Sequence, residues 1–190
     1  MTELAILLPL MAFVALAALT AIVLRRAGGI VARTREVEGF RGSVRDLAAR
    51  VDASLEGATG RIDAVRRGQA AADTIGPTIE AATDAVVRYA EEARAFRGPA
   101  HVQAIRDDLV SELERAARAL ETVDHGATIL AQVRRRGREL EAQTALKRGY
   151  LNLLHAREAI ARHAQRVDDL QVSVEPGGRN AVISVRGPRA

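Results

Sequence analysis

The chain of 190 residues contains no cysteine. Disulfide staples, thiolate metal sites and a cysteine nucleophile are therefore excluded. Tryptophan is absent as well, and the aromatic residues are three Phe and two Tyr: Phe13, Phe40, Tyr89, Phe96 and Tyr150. A mixed globular core normally draws more of its buried area from aromatic rings. Apolar residues still make up 48% of the chain. They are mainly Ala, Val, Leu and Ile, a palette that suits long helices. Proline is scarce at five residues, with none between Pro9 and Pro77. Lys147 is the single lysine, so arginine supplies the rest of the permanent positive charge.

Catalytic signatures are missing too. There is no HExxH, no GxxxxGK[ST], no GxGxxG after a strand and no GxSxG elbow. The adjacent carboxylate pairs Glu91-Glu92 and Asp107-Asp108 fall in helical stretches, where neighbouring side chains point apart. General acid–base chemistry needs two groups converging in a cleft. His155 and His163 are two helical turns apart, but no carboxylate cluster completes a metal site around them. The expectation is a non-enzymatic protein with no cofactor, no metal and no evident small-molecule substrate.

What is present begins with Leu4–Leu24, an uncharged run of the length that spans a bilayer as a helix. Its N-terminal flank lacks Lys and Arg, while Arg25, Arg26, Arg33 and Arg35 follow it. That order argues against a cleaved signal peptide and keeps the following segment on the cytoplasmic side. These features predict a transmembrane anchor over 1–24 and a basic juxtamembrane linker over 25–35. They place the N-terminus outside and residues 25–190 in the cytoplasm, in a single-pass cell-membrane protein.

From Val37 a heptad pattern runs through Val44, Val51, Ala58, Val65, Ala72, Ile79, Val86 and Ala93. Its second row, Phe40 and Leu47 onward, fails at Ser54, Arg61 and Gly68, where Leu55 and Ile62 offer a neighbouring stripe. The period is that of a helix, not a strand. Ile75-Gly76-Pro77 and Arg97-Gly98-Pro99 are breaks, and Asp124-His125-Gly126 is a softer one. A later stripe runs Val102, Ile105, Leu109, Leu113, Ala116, Leu120, Val123, Ala127, Leu130, Val133 and Leu140. It continues weakly through Leu146, Leu151, Leu154, Ala161 and Val167 to Leu170.

The fold class is all-α. Residues 36–171 are expected to form a long antiparallel, coiled-coil-like helical hairpin turning at 97–99. Reflection about that turn brings Gly76 and Gly126 to similar heights, which suggests a hinge. Folding of 77–124 back onto the two arms would give a four-helix bundle instead; the extended hairpin is preferred because such short breaks usually bend or reverse a helix. Residues 172–190 change character and read as a tail or a weak β-hairpin.

Charge is uneven along the chain. The net charge is +4, yet residues 73–124 carry six basic and eleven acidic side chains, and residues 125–171 carry nine and five. Arg134, Arg135, Arg136 and Arg138 form the sharpest cluster. With Arg25, Arg26, Arg33 and Arg35 they are the candidate contacts for an acidic partner or lipid. Gly76, Pro77, Gly98, Pro99 and Gly126 are the candidate hinge and turn residues. No aromatic interleaving supports single-stranded nucleic acid.

An N-terminal span followed by long helices superficially resembles LemA-type proteins and the cytoplasmic hairpins of bacterial chemoreceptors. No residue motif carries that likeness, so no site residues follow from it. The functional expectation is a membrane-anchored helical scaffold or interaction protein that self-associates or binds a protein partner through its helices. The alternatives are a signalling or sensor bundle with a hinge near Gly76/Gly126 and, as the weakest reading, a nucleic-acid tether.

Overall fold

The computed structural model describes residues 2–132 and 137–169; within these, the side chains of residues 2–15, 17, 23–33 and 101 are not described. Four α-helices account for nearly all of it: α1 (Thr2–Arg66), α2 (Gly76–Ala95), α3 (Gln103–Gln132) and α4 (Glu139–Asp168). Single 3-10 turns at Ala72–Thr74 and Ala100–Val102 lie in the first two connections. No strand occurs among the described residues.

The inner face of α1 carries Val37, Phe40, Val44, Leu47, Val51, Leu55, Ala58, Ile62 and Val65, each at most 4% exposed. Their spacing alternates between three and four, with two successive fours across Leu47–Val51–Leu55. That local shift of phase explains why the second heptad row fails at Ser54 and Arg61. The stripe moves onto Leu55 and Ile62 and follows the 3.6-residue turn instead of a strict seven.

The helix stops at a glycine. Gly68 has φ +70°, a left-handed conformation that costs an L-residue with a Cβ about 1 kcal/mol or more. Its N–H donates to Val65 O at 2.9 Å and the Gln69 N–H donates to Ala64 O at 2.8 Å. These two bonds satisfy carbonyls at the helix end in the Schellman arrangement. The chain therefore reverses over 67–75, earlier than the Gly76-Pro77 break. Gly76 and Pro77 instead open α2, with Pro77 in the first turn, where its missing N–H costs nothing.

The second reversal lies where the sequence places a turn. Phe96 and Phe40 meet edge to face, 6.3 Å between centroids at 85°. A Cβ on Gly98 would lie 2.6 Å from Val102 Cγ2 and 3.2 Å from the Phe40 ring. The glycine lets this turn close over the start of the α1 core. Pro99 then caps the 3-10 turn, accepting a bond from the Val102 N–H at 3.0 Å.

α3 continues without a break through Asp124-His125-Gly126. The expected interruption is absent because Gly126 is a packing residue: a Cβ there would sit 3.0 Å from both Ala142 O and Leu146 N of α4. Gly149 returns the contact, since its Cβ would lie 2.9 Å from Ala119 O and 3.0 Å from Val123 N. With Ala116, Ala119, Ala142 and Ala156 all buried, the α3 and α4 backbones come close enough to pack main chain on main chain. The apolar stripe of α4 is Ala142, Leu146, Leu153, Ala156, Ile160 and Val167. Leu140, Leu151 and Ala161, which the sequence pattern includes, point outward.

These helices pack as an up-down-up-down bundle, with α1 and α3 each against both α2 and α4. The extended hairpin is thus replaced by the folded-back alternative, because α1 already reverses at Gly68. Ion pairs tie neighbouring helices at the surface. Arg50 reaches Glu92 and stacks over the Tyr89 ring at 5.3 Å, linking α1 to α2. Arg45 meets Asp168 at 2.6 Å, Arg157 meets Asp52, and the Arg41 Nε donates to Val167 O at 3.1 Å, linking α1 to α4. Arg94 and Glu114 join α2 to α3 at 2.6 Å.

The expected membrane span at Leu4–Leu24 is corrected, and with it the single-pass location with residues 25–190 in the cytoplasm. Among the described residues no helix is long and apolar enough to cross a membrane. The physical reason lies in the pattern of the helices whose side chains are described. From Thr34 onward α1 is amphipathic, and α2, α3 and α4 likewise carry charged side chains along their outer faces. Of Leu4–Leu24, the described side chains are Leu16, Ala18, Leu19, Thr20, Ala21 and Ile22, and all are exposed. The suggested tail or β-hairpin at 172–190 lies outside the described residues.

Candidate functional site

The surface with least internal explanation is the solvent face of α1. Residues advance about 100° per step around a helix, so Gly42, Ala49, Ala53 and Gly60 fall opposite the buried Val44, Val51, Leu55 and Ile62. Gly39 and Gly57 lie beside them. All six small residues are exposed. A Cβ added at Gly39, Gly42, Gly57 or Gly60 would meet nothing within 4 Å.

A helix-interior glycine is less stable than alanine by about 1 kcal/mol, so four of them cost α1 roughly 3–4 kcal/mol. Gly126 and Gly149 recover such a cost through close contacts between α3 and α4. The four on the outer face of α1 recover nothing there.

The smooth face runs on toward α4. A shallow groove between α1 and α4 is floored by Ala48, Ala49, Ala161 and Ala164 and flanked by Arg45, Asp52 and Arg157. The pairing of Arg157 with Asp52 holds the Asp52 carboxyl below its ordinary range, against a smaller opposing effect of burial. Asp46 and Glu56 are the charged residues nearest the line of small ones between Gly42 and Gly60; Asp46 is turned aside onto Arg50 at 3.0 Å, and Glu56 is exposed. The face is therefore low in steric relief, with Arg45, Asp46, Asp52 and Arg157 already engaged along its borders.

The residues singled out from the sequence do not converge on one site. The Arg25, Arg26 and Arg33 side chains and all of Arg134–Arg136 lie outside the described residues. Arg35 is exposed. Arg138 is held by Glu141, whose carboxyl is lowered first by that hydrogen bond and then by the arginine charge. Arg66 and Arg67 share Asp63, at 2.7 and 2.8 Å, and Arg66 also lies over the Tyr150 ring at 5.1 Å. Among the described residues no three His, Asp or Glu side chains come together to hold a metal ion. His155 is exposed, whereas His163 turns into the seam with α3.

Fold and surface together define a four-helix bundle whose first helix is 65 residues long, more than twice any partner. The chain matches no protein-family model, no curated protein and no solved structure. The glycine face forms no sequence motif, because exposed glycines at helical spacing match no phosphate-loop or other catalytic pattern. The available signal was their position: Gly42, Ala49, Ala53 and Gly60 recur on the side of α1 opposite the apolar stripe.

Proposed function

We propose that this protein is a helical interaction scaffold that associates with a second copy of itself through the solvent face of α1. One observation carries the reading: Gly39, Gly42, Gly57 and Gly60 are exposed in a helix interior where an added Cβ would touch nothing. A second helix laid along that face could approach backbone to backbone, as α3 and α4 do around Gly126 and Gly149. Such an approach gains many weak contacts, including Cα–H to carbonyl contacts of up to about 1 kcal/mol each. Apolar area buried by Ala and Gly is small at about 25 cal/mol per Å², so the association is expected to be dynamic and concentration-dependent. The lean core favours the same reading, since a bundle built on alanine gains from added burial.

Sedimentation of the full chain over a wide concentration range tests this. The expected result is a reversible shift from monomer to dimer that disappears in the double variant Gly42→Arg/Gly60→Arg, with helicity unchanged. A wild-type chain that stays monomeric at high concentration, or association that persists in the double variant, would remove the basis for the reading.

A further inference from the structure

We infer that His163 is a proton-operated latch that holds the last turns of α4 against α3 when neutral and loosens them when protonated. The inference is independent of self-association through α1. It starts from a buried polar atom: the His163 Nδ1 is shielded from solvent and has no hydrogen-bond partner among the described residues. A buried unpaired polar atom costs about 1–3 kcal/mol, and the site must hold the ring in that seam despite the cost. The ring sits on the side of α4 that also carries Ala156 and Gly149, the side packed on α3.

The charged groups acting on the ring are Asp108 and Glu112 from α3, and Arg162 and Arg166 from its own helix. Glu112 is already engaged by Arg115 at 3.0 Å, which leaves Asp108 as the carboxylate on α3 best placed to receive a new N–H. Burial outweighs these charges and pushes the imidazole below its ordinary value. A neutral ring is therefore favoured in the closed seam. The stability it contributes is complete above the ordinary histidine range, near pH 6.5, and is lost as pH falls below it.

Protonation gives Nδ1 a hydrogen that finds no acceptor inside. The imidazolium can satisfy it by swinging toward Asp108, out of the seam. One turn further on, Arg41 still holds Val167 O and Arg45 still holds Asp168. The end of α4 then remains tied to α1, while its packed seam with α3 opens and a solvated contact to Asp108 takes the place of the buried ring. Acid would thus change which neighbour holds the helix end without dismantling the bundle.

Ring NMR of the full chain across pH 4.5–8 tests the latch, together with amide-exchange protection factors for residues 160–168, corrected for intrinsic exchange. The His163 midpoint is expected to lie below the ordinary histidine value of about 6.5. Each unit of difference should appear as about a tenfold loss of protection in those amides between the two plateaus. Asp108→Asn should lower the midpoint further, while Asp84→Asn on α2 should leave it unchanged. His163→Gln should flatten the pH dependence of protection at 160–168. A His163 midpoint at or above the ordinary histidine value of about 6.5 would overturn the inference, as would pH-dependent protection that survives in His163→Gln. If His163→Gln does not fold, the wild-type midpoint and its response to Asp108→Asn decide alone.

Discussion

One residue type, glycine, does four different things in this chain, and what surrounds each position decides which. At Gly149 the neighbours are Val123 Cγ2 at 2.6 Å and the α3 backbone at 2.9 Å and 3.0 Å. The backbone atoms cannot step aside. Gly149→Ala should therefore lose more through overpacking, about 1–3 kcal/mol, than the roughly 1 kcal/mol of helix propensity it gains. The expected outcome is a lower denaturation midpoint in urea with an unchanged slope. A midpoint that stays put would mean the two helices are not packed main chain on main chain. At Gly68 the constraint is conformational. Gly68→Ala should cost about 1 kcal/mol while Gly68→Asn, which tolerates the left-handed region, should cost less. The contrast between the two variants separates backbone strain from loss of space, because nothing lies within 4 Å of that position.

At the scale of the helix, the sequence was most informative where apolar residues are large and widely spaced. Val37, Phe40, Val44, Leu47 and Val51 could be read directly, because each is flanked by charge and the 3.6-residue period leaves them one face. The move onto Leu55 and Ile62 was visible as a neighbouring stripe. In α4 the same reading failed. Leu140 and Leu151 are large and apolar yet point outward, while Ala142, Gly149 and Ala156 take the inner positions. Hydrophobicity ranks leucine above alanine, but close backbone approach to α3 excludes leucine there. The reversal at Gly68 was hidden for a related reason. Val65-Arg66-Arg67-Gly68 continues a good helix pattern, and only the positive φ reveals its end.

Element boundaries also set the acid response of the α1–α4 seam. Asp52 is lowered by Arg157 in the folded chain. Its contribution is present above the ordinary carboxylate range, near pH 4, and is lost as pH falls through its depressed folded value. Asp52→Asn should remove that part of the acid dependence. Wild type and variant should then converge in stability toward pH 2, while wild type is the more stable at pH 7. The difference will be modest, since the pair is largely solvated, and thermal melts at the two pH values measure it. A gap of equal size at both would show that Asp52 acts through packing and not through its charge.

At the scale of the whole molecule, the charge asymmetry read from the sequence becomes a property of layers. The acidic stretch 73–124 forms α2 and most of α3, and the basic stretch 125–171 contains α4, which packs with α1. The outer face of α1 carries neither excess. Glu38 pairs with Arg41 and Asp46 with Arg50 beside it, so two such faces can meet antiparallel without strong repulsion. Association that uses the exposed glycines has a thermodynamic signature that folding alone lacks. Binding restricted to the folded state raises the melting temperature with protein concentration. The triple variant Gly42→Ala/Gly57→Ala/Gly60→Ala removes close approach while improving helix propensity by about 1 kcal/mol per site. At low concentration it should therefore melt above the wild type, and its melting temperature should stay flat as concentration rises. The wild-type melting temperature should climb toward it. Parallel concentration dependence in both chains would place self-association on another surface, and a variant that melts below the wild type at every concentration would show that these glycines serve the monomer after all.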